Sequence, residues 1–151
     1  MDLQAALPIL LPKAIIWAEG ESQRVTSLGR VLTEREQELA QGVGVAKPEK
    51  IRVALVETLP LPEEPILRAA ALQAGLLGPN MVGLTLGYSV FVCKGHETAR
   101  LLTHEFRHVY QYEHAGSIAG FLPGYLQQVV QLGYANTAFE KDARAHECEN
   151  P

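Results

Sequence analysis

Apolar and polar positions along the chain change period several times, and each change marks an element. Ala5 to Ala18 is a nearly continuous apolar run broken by Pro8, Pro12 and Lys13, and it is expected to form a packed N-terminal helix. Helical punctuation continues from about Lys13 to Gln41. Within it, Ser27 to Ala40 sets Leu28, Val31, Leu32 and Leu39 against Arg30, Glu34, Arg35 and Glu38, an amphipathic helical pattern, which Gly42 and Gly44 stop. Lys50 to Glu57 alternates as a strand does, and Pro60, Pro62 and Pro65 end it. Ile66 to Leu77 reads as a helix closed by Gly78-Pro79-Asn80.

Met81 to Cys93 carries the cleanest alternation. Val82, Leu84, Leu86, Tyr88, Val90 and Val92 fall on one face; Gly83, Thr85, Gly87, Ser89, Phe91 and Cys93 fall on the other. The pattern predicts one strand whose small, polar face lets a ligand or another backbone approach closely. Lys94-Gly95-His96 turns the chain. A helix is expected over Glu97 to His114, where Leu101, Leu102, Glu105, His108, Val109 and Tyr112 recur at helical spacing, with Ala115-Gly116 as its end. Helices over Phe121 to Leu132 and Thr137 to Glu147 follow. Helices and a small sheet make the fold class α+β, and no linker or internal repeat divides residues 1–151 into more than one domain.

The chemistry lies in the fourth of these helices, Glu97 to His114: His104-Glu105-Phe106-Arg107-His108. Residues four apart on an α-helix share a face, roughly 5–6 Å apart at Cβ, so two imidazoles can converge on one Zn²⁺. Glu105 then lies beside the metal, placed as a general base for its water. The pattern arises by chance in roughly one shuffled chain in 75 of this composition, so its setting must decide. That setting is favourable: the alternating strand leads straight into the motif helix, as needed to lay an extended substrate beside a metal.

Composition narrows the alternatives. The chain is 47% apolar and 20% charged, with a net charge of −4, and its scattered Lys and Arg lack the basic stripe of a nucleic-acid binder. The N-terminal run is too short and broken to span a bilayer. Asp2 stands where a signal peptide needs positive charge. Cys93 and Cys148 suggest neither a metal pair nor a disulfide framework, which points to a reducing, cytoplasmic setting.

The segment from Met81 to Glu147 resembles the zincin superfamily of metallohydrolases, most closely the gluzincin branch. The resemblance rests on His-Glu-Phe-Arg-His, with Leu-Thr-Leu-Gly-Tyr before it and Phe-Glu-Lys-Asp-Ala-Arg after it. It implies a reduced zincin core, a small sheet packed by helices, with the third zinc ligand on a later helix. Glu140 is the residue so implied, at a longer gap than the archetypal one. Glu140 has a competing role: Thr137-Ala138-Phe139-Glu140 is a capping box, in which its carboxylate would bond back to the Thr137 amide. Asp142 and His146 are poorer candidates on the same segment. His114 has the spacing of a third histidine in metzincins, but the helix-breaking Gly of that pattern is Gln111 here. On an unbroken helix His114 stands about 9 Å further along the axis than His108, and it is read as solvent-facing.

The resemblance implies a zinc-dependent hydrolase acting on peptides or proteins. Metal ligands would be His104, His108 and Glu140, with Glu105 as base. Tyr88, Tyr112 and Tyr134 are open candidates for stabilising an oxyanion. Arg107 is expected to turn from the metal and pair with a carboxylate. The rivals are a non-catalytic binding module that keeps the metal site, and a structural protein with an accidental motif. Oligomeric state and substrate identity are not read from any pattern.

Overall fold

The computed structural model describes residues 1–149. Asp2 caps the first helix, its side chain accepting from the Ala5 amide, and α1 runs Leu3–Leu28. It continues through Pro8 and Pro12, both on its exposed side, where the carbonyls they leave unbonded meet water. The expected amphipathic helix over Ser27–Ala40 is instead divided. After α1 the short strand β1, Arg30–Val31, pairs antiparallel with β2, Arg52–Val56, and a new helix, α2, spans Glu34–Gly42. Thr33 caps it with a complete capping box to Glu36. Leu28 and Val31 are exposed while Leu32 and Leu39 are buried, so their helical spacing was a coincidence of two elements.

Glu64 caps α3, Pro65–Gln73, which ends short of the expected Leu77. The single strand expected over Met81–Cys93 is a hairpin: β3 is Gly83–Leu86 and β4 is Ser89–Cys93, joined by Gly87-Tyr88. Gly87 takes φ +66°, a left-handed conformation glycine adopts without strain. The two-residue turn also inverts the expected facing. Gly83 pairs with Val92 and Thr85 with Val90, so odd positions of β3 share a face with even positions of β4.

The sheet order is β1-β2-β4-β3, with β2 and β4 parallel and the outer pairs antiparallel. That gives an α+β fold with a small mixed sheet. Val53, Val90 and Val92 pack against Leu39 and Ala40 of α2 and against Leu102, Phe106 and Val109 of α4, Ala99–Ala115. The opposite face sets Leu86 and Phe91 against Ala18 and Val25 of α1 and Phe121 and Leu122 of α5, Ile118–Leu132. Phe106 and Phe91, each fully buried on its own face, contribute about 1.5–3 kcal/mol apiece. A short 3₁₀ turn, Tyr134–Asn136, leads into α6, Ala138–Ala145, which packs on α4. Among the described residues no helix is long and apolar enough to cross a membrane.

Candidate metal centre

Thr98 starts α4 by accepting the Leu101 amide at 3.1 Å, and the unbroken helix then sets His104 and His108 one turn apart. Their ring centroids are 5.0 Å apart. Glu140 enters from the first turn of α6 and is 1% exposed. Its Oε1 lies 3.1 Å from His104 Nε2 and 3.3 Å from His108 Nε2. All three residues present ligand atoms within 4.8 Å of one another. A tetrahedral ion with ligands at about 2.1 Å sets its ligand atoms roughly 3.4 Å apart, so the spacing suits one.

The outer ring nitrogens are held just as firmly. Gln111 Nε2 donates to the Phe139 carbonyl at 2.9 Å and to Asp142 Oδ2 at 3.0 Å. Both partners only accept, so the Gln111 carbonyl oxygen is the atom facing His108 Nδ1, at 2.7 Å. His108 therefore carries its proton on Nδ1. The Glu147 carboxylate does the same for His104 Nδ1 at 2.8 Å, and Arg100 steadies Glu147 from the other side at 2.9 Å. Such outer partners fix the tautomer that leaves Nε2 free to ligate.

This arrangement leaves an electrostatic conflict that a cation resolves. Both Nε2 atoms face a carboxylate oxygen. As neutral Nδ1–H rings they would aim lone pairs at it; as imidazoliums they would crowd two charges into a buried site. Burial is the largest influence and opposes charge on either ring, yet the hydrogen bonds to Glu140, the negative charge of Glu105 and the outer partners together outweigh it, raising His104 and pushing His108 up to about 9. Burial disfavours charge on Glu140 too, but its bonds to the two histidines hold it well below the usual carboxylate range. A divalent ion among these three residues would let both rings stay neutral. Two imidazoles and a carboxylate are a donor set that zinc accepts, so the residues fit it.

Glu105 occupies the neighbouring position on α4, buried against the edge strand β3. The Thr85 hydroxyl donates to Glu105 Oε1 at 2.9 Å. A side chain at Gly83 would meet Glu105 Oε2 at 2.8 Å. The small face of β3 thus admits the base itself, which answers why Gly83 and Thr85 stand there. Burial pushes the Glu105 carboxyl up, against the opposing pull of His108, His104 and the Thr85 hydrogen bond.

The competing role for Glu140 is half realised. Its amide donates to Thr137 Oγ1 at 3.0 Å, so Thr137 does cap α6. The carboxylate, however, is turned to the histidines and to Tyr125, whose hydroxyl donates to Oε2 at 2.8 Å. Tyr134 also lies near Glu140, and burial raises both phenols, keeping them protonated. Tyr88 lies away from this centre, donating to Glu113 at 2.6 Å. Tyr112 stacks near Phe121. Arg107 pairs with Asp142 at 2.8 Å and reaches the Val43 carbonyl at 2.7 Å, tying α4 to α6 and α2. His114 is exposed and meets the Tyr110 hydroxyl, away from the centre. His146 Nδ1 lies against the Asp142 carbonyl.

Sequence reasoning missed Gln111, Glu147, Tyr125 and Thr85. Gln111 was findable, since three residues beyond His108 on a helix shares its face. Glu147 carries no local signal, and Tyr125 belongs to a predicted helix, Phe121 to Leu132, in which no candidate residue was named. No protein-family model matches the chain, and no curated protein or solved structure matches it.

Proposed function

We propose that the chain is a zinc-dependent hydrolase of zincin type, with a gluzincin-like ligand set on a reduced zincin core, acting on peptide bonds. The observation carrying this reading is the convergence of His104, His108 and Glu140 with each imidazole's outer nitrogen held by an acceptor. Bound zinc supplies Lewis acidity toward a water and the scissile carbonyl.

The chain's own residues do the rest. His104 and His108 remain neutral, held by Glu147 and Gln111. Glu105 takes one proton from the attacking water as its oxygen bonds to the carbonyl carbon, then returns that proton to the leaving nitrogen as the C–N bond breaks. Tyr134, a neutral phenol near the Glu140 carboxylate, would serve as donor to the developing oxyanion, since the single Tyr125 hydroxyl proton is taken by Glu140 Oε2. Strand β4 lies inside the sheet, so the free edge that would align a substrate by main-chain hydrogen bonds is β3.

The test is Glu105→Gln. It should retain one zinc per chain by elemental analysis and lose at least about 100-fold in kcat on a peptide library, the scale of general-base catalysis. Full activity in this variant would sink the mechanism. Zinc at full occupancy with no turnover in the wild type would make the chain a binding module.

A further inference from the structure

A cavity of about 150 Å³ adjoins the centre. Its walls come from α1, α3, α5 and all of β3, and among the described residues its polar groups are Thr85, Glu105, His108, Glu140 and three tyrosines around the centre, together with the indole N–H of Trp17 on α1. Every other lining side chain is apolar. Leu10, Trp17, Leu67 and Val129 line it, as do the small side chains of Ala14 and Ala70. Beyond the centre the Trp17 indole is, among the described residues, the one lining side-chain donor and no residue could neutralise a charge, so burying a charge there would cost several kcal/mol.

From this continuity we infer that the cavity is a specificity pocket, taking one large apolar side chain, of Leu or Phe size, beside the scissile bond. The inference rests on the hydrolase reading. Three observations carry it. The pocket shares Glu105, His108 and Glu140 with the centre, so a group seated in it lies next to the reacting bond. It runs along β3, the strand whose free edge would hold the substrate backbone. Its volume matches an apolar cavity of about 150 Å³ that takes up one benzene-sized ring. A charged side chain would be rejected by desolvation alone.

Two probes separate the pocket from the metal. Toluene is titrated into metal-free protein and followed by thermal shift. Acetohydroxamate and 3-phenylpropanohydroxamate are then compared on zinc-loaded protein by calorimetry. Toluene should raise the melting temperature, and the phenyl compound should bind at least about tenfold more tightly. Ala14→Leu and Ala70→Leu, two independent ways to fill the space, should abolish both effects while zinc content stays at one per chain. Cleavage of a peptide library should favour Leu or Phe at one position flanking the bond. Equal affinity of the two hydroxamates, or no toluene effect, would overturn the pocket while leaving the hydrolase reading intact. Toluene binding with neither hydroxamate bound would overturn the hydrolase reading, and the substrate role with it.

Discussion

The chain contains two Thr-x-x-Glu helix starts, and they end differently. At α2, Thr33 Oγ1 accepts the Glu36 amide at 3.1 Å and Glu36 Oε1 accepts the Thr33 amide at 2.9 Å. Arg30 completes the group with a two-pronged ion pair at 2.7 and 3.0 Å. At α6, Thr137 again accepts the Glu140 amide, but the carboxylate leaves the box for His104, His108 and Tyr125. The Thr137 amide turns to the Tyr134 carbonyl of the preceding 3₁₀ turn instead. The threonine alone therefore suffices to cap, and the glutamate goes where the nearest donors are. For Glu36 that donor is an arginine at the rim; for Glu140 it is the half-buried His104 and the buried His108.

Substituting each glutamate separates the two roles. Glu140→Ala should weaken zinc binding by more than about 100-fold, exceeding the 10–100-fold cost of losing an outer partner. Glu36→Ala should leave zinc affinity unchanged; chelator competition measures both. Equal effects would erase the distinction. Gln111→Leu should weaken zinc by about 10–100-fold, because His108 Nδ1 loses its acceptor while every ligand remains.

Acid and base distinguish the two sites next. In metal-free protein, His108 is raised from its usual 6.5 to about 9, so its contribution to stability is complete below 6.5 and lost as pH rises through 9. Glu140 is depressed, so its contribution is present above its ordinary 4.5 and lost on acidification. The α6 cluster should therefore stabilise the metal-free chain most between about pH 4.5 and 6.5 and fade on both sides. Glu36, depressed by Arg30 and lacking a histidine, fades only on the acid side. Urea midpoints of chelator-treated wild type, Glu36→Gln and Glu140→Gln across pH 4–10 would read this; an alkaline loss that persists in Glu140→Gln would break it. Zinc must also displace protons from the histidines, so its affinity should climb with pH up to about 9.

The smallest effect is at the caps. Thr33→Ala and Thr137→Ala should each cost about 1 kcal/mol in denaturant unfolding, with zinc still bound in both. A Thr137→Ala protein that lost zinc would mean that the cap also positions the ligand.

How much was legible follows the reach of each interaction. His104, Glu105 and His108 were readable because helix geometry alone juxtaposes them, and the split personality of Glu140 was readable as two named roles. The hairpin was not, because alternation runs through Gly87-Tyr88 unbroken and Tyr88 is as good a strand former as its neighbours. The break after Leu28 was hidden for the same kind of reason: Leu28 and Val31 keep helical spacing although one ends a helix and the other sits in β1. Glu147 was beyond reach. It meets His104 across 43 residues of chain, and only the docking of α6 on α4 brings them together.

The most direct test is crystallographic: anomalous scattering at the zinc edge from zinc-loaded protein. The account predicts one peak about 2.0–2.2 Å from His104 Nε2, His108 Nε2 and a Glu140 carboxylate oxygen, with Gln111 and Glu147 still on the two Nδ1 atoms. A peak elsewhere, or Glu140 turned back onto the Thr137 amide as Glu36 is onto Thr33, would contradict it.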